Sequence, residues 1–167
     1  LNHNTLNLPM FYATLRTLHL LSIIVWVGGM AFTQFFLRPA LTQLEAPERV
    51  RLMHDVLGRF FNAVLVAAAL TLGSGIWMIG RMARQMAQSG VKFNMPLEWM
   101  VMATLGLLMM LIFGHIRFVL FARLSRAVTE AAWPAGGAAL ASIRTWVMVN
   151  LVLGVLIVMV TLLGLSL

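Results

Sequence analysis

Two kinds of side chain in this sequence are suited to metal or redox chemistry: four histidines and thirteen methionines. His19 stands in LRTLHLLSIIVWVGGMAFTQFFLR, at the start of an apolar run with no charge between Arg16 and Arg38. An ionisable group inside such a run is costly and marks a candidate site. Its plainer use is a hydrogen bond to water or a lipid headgroup. Met78, Met82 and Met86 recur every four residues and so share one helix face. Their thioethers suit Cu(I) or the axial position of a haem iron, and otherwise serve as flexible apolar filler. Met95, Met100 and Met102 open the next apolar run, and His115 closes it two residues before Arg117. His54 lies in an amphipathic segment that favours plain solvation, and His3 lies in the N-terminal tail with no expected role.

Other chemistries are excluded by composition. Cysteine is absent, which removes disulfides and thiolate sites. The five carboxylates lie at the ends of the apolar runs, with no paired acid and base and no phosphate-binding glycine loop. No hydrolase or transferase signature results. The net charge of +7 comes from basic residues that border apolar runs, so it points to lipid headgroups and not to nucleic acid.

The elements that must hold these residues follow from hydropathy. Of 167 residues, 61% are hydrophobic and 10% charged, against about 25% charged in a soluble domain. Mean hydropathy is +0.93. The chain is therefore expected to be an integral membrane protein, all-α, forming one domain over residues 1–167. Charges bracket four spans at about 18–37, 60–79, 97–116 and 145–167, each near the ~20 residues that cross ~30 Å of hydrocarbon. Ordinary loops predict an up-down-up-down four-helix bundle. EAPERVRLMHDVLGRF is expected to extend the second helix, and WPAGGAA to form a turn before the fourth. No secretory signal peptide with a small-residue cleavage site is visible.

Arg38, Arg49, Arg51, Arg59, Arg117, Arg123, Arg126 and Arg144 flank one end of the spans, against Arg16, Arg81, Arg84 and Lys92 at the other. The positive-inside rule then places both termini outside. Helices one and three run the same way, so His19 and His115 differ in depth by roughly 17 residues, or about 25 Å at 1.5 Å per residue. Imidazole ligands bind at about 2 Å, so the two cannot share one metal. The outer neighbourhood holds His19, Arg16, Glu98 and many methionines. The cytoplasmic one holds His54, Arg59, Asn62, His115, Arg117, Arg144 and Asn150.

LHLLSIIVWVGGMAF, followed by LRPAL and GRFFNAVLVAAALTLGSGIWM, resembles the copper resistance D (CopD) membrane family. More distantly the chain is similar to HemJ-type protoporphyrinogen oxidases. The shared plan is a histidine early in helix one, then Trp and Gly, a GIW late in helix two, a histidine late in helix three and an Asn in helix four. These fall on His19, His115 and Asn150. The resemblance implies a multi-pass protein of the bacterial inner membrane that handles copper beside a periplasmic copper protein or redox partner. The HemJ-type likeness implies haem b on His19. Two departures separate the chain from porphyrinogen oxidation. Arg16-Thr17 stands where those proteins tend to have a lysine, and Val149 and Leu151 flank Asn150 in place of a Glu.

The leading expectation is a haem b protein with an electron-transfer or oxidoreductase role. His19 would be one ligand, with Met78, Met100 or Met102 as the other, and Arg16 would pair with a propionate. A second haem on His115 with His54 extends that reading. The alternative is Cu(I) binding or import, with Met78, Met82 and Met86 as entry ligands, His19 next and His115 receiving the ion. A third is an accessory subunit of a respiratory or oxidase complex, or a homo-oligomer.

Overall fold

The structure, a computed structural model, describes residues 3–90, 95 and 97–163, with side chains from Met10 onward. Lys92, the last residues of the fourth expected span (164–167) and the side chain of His3 lie outside the described residues. Hydrocarbon offers no hydrogen-bond partner, so each apolar run must pair its own backbone groups, as a helix does. The described residues accordingly contain helices and no strand.

Helix α1 (His3–Phe32) continues through a π-helical segment, Thr33–Leu37, and short turns at Arg38–Ala40 and Leu41–Gln43. Helix α2 covers Ala46–Gln88 and α3 covers Leu97–His115. A second π segment, Ile116–Leu120, links α3 to a helical continuation, Phe121–Thr129. Helix α4 covers Trp133–Leu163. Four stretches, Met10–Gln43, Ala46–Gln88, Leu97–Thr129 and Trp133–Leu163, are long and apolar enough to cross a membrane. The chain is a multi-pass membrane protein.

The π segment of α1 has a visible cause. Pro39 has no N–H and cannot donate to the carbonyl one turn back. The turn before it widens, with the Arg38 N–H reaching the Thr33 carbonyl. The wider turn brings consecutive residues, Thr33 and Gln34, both inside.

Contacts gather the chain into two compact units, Leu1–Trp26 with Ala63–Met95, and Val27–Asn62 with Pro96–Leu167. In the first, Phe11 meets Trp77 edge-on at 5.1 Å, and Arg81 lies 5.5 Å from the Tyr12 and Trp77 ring centres. Further along α1, His19 meets Ser74. Numbers rise on α1 as they fall on α2, so these two segments run antiparallel. Ser22, Trp26, Val64, Ala67 and Ser74 are its buried residues.

The second unit holds most of the apolar core. The segment from Ala46 is helical and buries Val50, Met53, Leu57 and Phe61 at three- and four-residue spacing, leaving Arg51 and Arg59 exposed. Phe61 packs edge-on against Phe113 and Phe121. On α4 the buried stripe is Leu140, Ile143, Val147, Asn150, Leu151 and Gly154. Gly154 lets the backbones close: an added Cβ would sit 2.9 Å from Val27 Cγ2 and 3.2 Å from Met109 Cε. Gly29 does the same beneath the Phe60 ring, which a Cβ there would overlap.

WPAGGAA is not a turn. Those residues are the first two turns of α4. Pro134 lies in the first turn, where its missing N–H costs nothing, and Gly136 is buried so tightly that a Cβ would stand 2.8 Å from Val50 Cγ1. The chain reverses just before, at Glu130–Ala132. The Ala132 N–H donates to the Ala127 carbonyl and the Ala131 N–H to that of Val128, the paired bonds of a Schellman cap. Its left-handed position is Ala131, at φ 52°. An L-residue pays about 1 kcal/mol or more there and glycine does not. Ala131→Gly is therefore expected to stabilise the detergent-solubilised chain by about 0.5–1 kcal/mol, read as a higher thermal unfolding midpoint.

Candidate functional site

His19 is half-buried, on the α1 face that also carries the buried Ser22 and Trp26. Its Nδ1 lies 2.8 Å from Ser74 Oγ. The Ser74 hydroxyl has a single proton, and that proton is directed to the Leu70 and Thr71 carbonyls of its own helix, at 2.5 and 3.2 Å. With that proton so directed, Ser74 accepts from the Nδ1–H of His19, which makes Nε2 the unprotonated nitrogen, and the ring also engages the Thr71 backbone carbonyl. This protonation is assigned from the hydrogen-bond network. It is the arrangement of a metal-binding histidine, where an outer partner on one nitrogen fixes the ring and frees the other. The ring edge lies over Gly75, with Cε1 at 3.6 Å from where a Cβ would be. The Thr71 hydroxyl, in the same turn of α2, is buried without a hydrogen-bond partner among the described residues.

Met78 is one turn beyond Ser74 on the same α2 face, followed by Met82 and Met86. All three are partly exposed. Arg16, one turn before His19 on α1, is exposed. His19, Arg16, Met78, Met82 and Met86 thus belong to one unit, whereas Met100, half exposed, and Met102 belong to the other.

The remaining histidines have different surroundings. His54 Nε2 is 3.0 Å from Ser125 Oγ, its Nδ1 is 3.3 Å from an Asp55 carboxylate oxygen, and its ring stacks on Phe121 at 5.1 Å. Both nitrogens are engaged. His115 is exposed and packs edge-on against Trp146 at 5.5 Å. His54 sits opposite Ser125, ten residues beyond His115 along the same rod, or about 15 Å at helical rise. The expected pairing of His54 with His115 is not present in this geometry. Arg117 donates to Asn62 Oδ1 at 3.2 Å and lies over the Phe121 ring at 5.2 Å. Among the described residues no group of three or more His, Asp or Glu could hold a metal ion.

Asn150 is 1% exposed, and neither its amide nitrogen nor its oxygen has a partner among the described residues. Ser74 and Gln34, which escaped the sequence reading, carry the key polar contacts. The available signal was simply a polar residue inside an apolar run.

A family model described as copper resistance protein D matches residues 54–163. The chain belongs to the copper resistance protein D family. The matched stretch contains Met78, Met82, Met86, His115 and Asn150, and it begins after α1 with His19. Comparison with curated proteins finds no match. Comparison with solved structures finds none either.

The unpartnered amide of Asn150 makes a sharp stability test possible in this copper resistance protein D family member. Each buried unsatisfied polar group costs about 1–3 kcal/mol. Asn150→Leu is expected to raise the unfolding midpoint of the purified chain. A fall instead would mean that the amide holds a bound group or water.

Proposed function

We propose that the chain binds Cu(I) at the membrane, with His19 Nε2 and the thioether of Met78 as ligands. The observation that supports this reading is the His19–Ser74 hydrogen bond, made one helical turn from Met78 along α2. Cu(I) is the first-row ion selected by soft thioether ligands, and imidazole suits copper as well. The family's description, copper resistance protein D, supports the same ion. Haem b has no comparable support, because no observation beyond a lone imidazole and a thioether points to a porphyrin.

The ion is cargo in this reading. Met82 and Met86, on the turns of α2 beyond Met78, would pass it to Met78 and His19. Ser74 keeps the imidazole in the ligating tautomer throughout. The arginine asymmetry places the His19 end outside under the positive-inside rule, so in a bacterial inner membrane the donor would be a periplasmic copper protein. Nothing in the reading calls for a redox step within the chain.

Titration of the purified full chain with Cu(I), in competition with a chromophoric Cu(I) chelator, tests it. His19→Ala is expected to abolish the tightest site. Ser74→Ala is expected to weaken it by about 10–100-fold, since it removes the group that orients the ligand. Met78→Leu should also weaken binding. Unaltered affinity in His19→Ala would overturn the proposal, and a Soret band after haem-replete expression would return the reading to haem b.

A further inference from the structure

Arg38 and Arg144 flank one seam of the second unit, where α1 and its continuation meet α4. Two hydrogen bonds define it. Gln34 Nε2 donates to the Arg144 carbonyl at 2.7 Å, and Arg38 Nη2 donates to the Leu140 carbonyl at 3.3 Å. Within α4 the Leu140 carbonyl also accepts from the Arg144 N–H one turn on, so the Arg38 guanidinium sits beside the root of the Arg144 side chain. Among the described residues neither arginine has a carboxylate partner. Like charges held together repel unless an anion joins them.

The seam also has an unused acceptor. Gln34 is 7% exposed, and its Oε1 has no partner among the described residues. Arg38 keeps guanidinium N–H groups beyond the one given to Leu140, since the group carries five. Arg38 ends one apolar run and Arg144 begins another, so both stand at headgroup depth. The neighbours in sequence are apolar and exposed: Phe35 at 57%, Phe36 at 67% and Trp146 at 40%.

We propose that this seam binds the phosphodiester of an anionic phospholipid. The two guanidiniums bridge the phosphate through charge-assisted hydrogen bonds. The exposed aromatic side chains beside them meet the acyl chains. The chemistry that recognises a lipid phosphate would also recognise free phosphate, but only the lipid satisfies the apolar rim. Basic pockets between helices at the headgroup level are suited to this role. The proposal is independent of the copper reading.

The test uses the full chain, delipidated in a nonionic detergent. Native mass spectrometry counts bound lipid, and thermal unfolding is followed with phosphatidylglycerol, phosphatidylcholine or inorganic phosphate added. Phosphatidylglycerol is expected to bind and raise the midpoint, with the other two having little effect. Arg38→Gln with Arg144→Gln should weaken phosphatidylglycerol binding about thirtyfold, while the exposed Arg84→Gln leaves it intact. If the double Gln variant fails to fold, Arg38→Lys with Arg144→Lys keeps the charge and should retain binding that salt weakens. Equal binding of phosphatidylcholine, an equal shift from inorganic phosphate, or salt-insensitive binding by the Lys variant would overturn it.

Discussion

Hydrocarbon cannot hydrogen-bond, and most of this structure follows from that constraint. Every backbone N–H and C=O in the spans must find a partner inside the chain, which leaves helices as the form of each apolar run. Several hydroxyl side chains obey the same demand by bonding back to their own helices, though the Thr71 hydroxyl does not. Thr14, Thr17, Ser22, Thr145 and Thr161 each donate to the carbonyl four residues earlier. Such a hydroxyl uses its proton locally and keeps its lone pairs. At Ser74 that leftover acceptor is what fixes His19, so the tautomer at the candidate site derives from the same scarcity of partners that forms the helices.

Packing in the second unit depends on small residues at close approaches and on rings and thioethers between them. Gly29, Gly136 and Gly154 each lie where a Cβ would crowd a neighbouring side chain. Without a hydrophobic drive between helices in lipid, such van der Waals contact is a principal source of association. Phe61, in contact with both Phe113 and Phe121, ties α2 to α3 and its continuation. The polar residues that interrupt this core are few. Gln34 crosses to an α4 carbonyl, Arg117 meets Asn62, and Asn150 keeps an unpaired amide. An unpaired group at such a position is either a cost borne for register or a place where something binds.

Membrane class, the four apolar helices, the helical extension before the second span and the family were all legible in the sequence. Apolar run length and bordering charge encode them directly, and lipid allows few alternatives. WPAGGAA was misread because proline and glycine usually mark turns, whereas here proline occupies the permissive first turn of α4 and Gly136 fills a tight contact with Val50. The reversal instead uses Ala131, a residue type that gives no turn signal.

The sequence by itself determined which chemical groups enter the apolar runs: the imidazole of His19, the thioethers of Met78, Met82 and Met86, and the amide of Asn150. Tertiary structure decided what each group has left to offer. His19 gives Nδ1 to Ser74, fifty-five residues away in sequence, and under the copper reading it has Nε2 to offer. His54 has none to spare, since Asp55 and Ser125 engage both of its ring nitrogens. Spacing along one helix fixes a face, but a ligand's free valence depends on which atom of another helix stands opposite it.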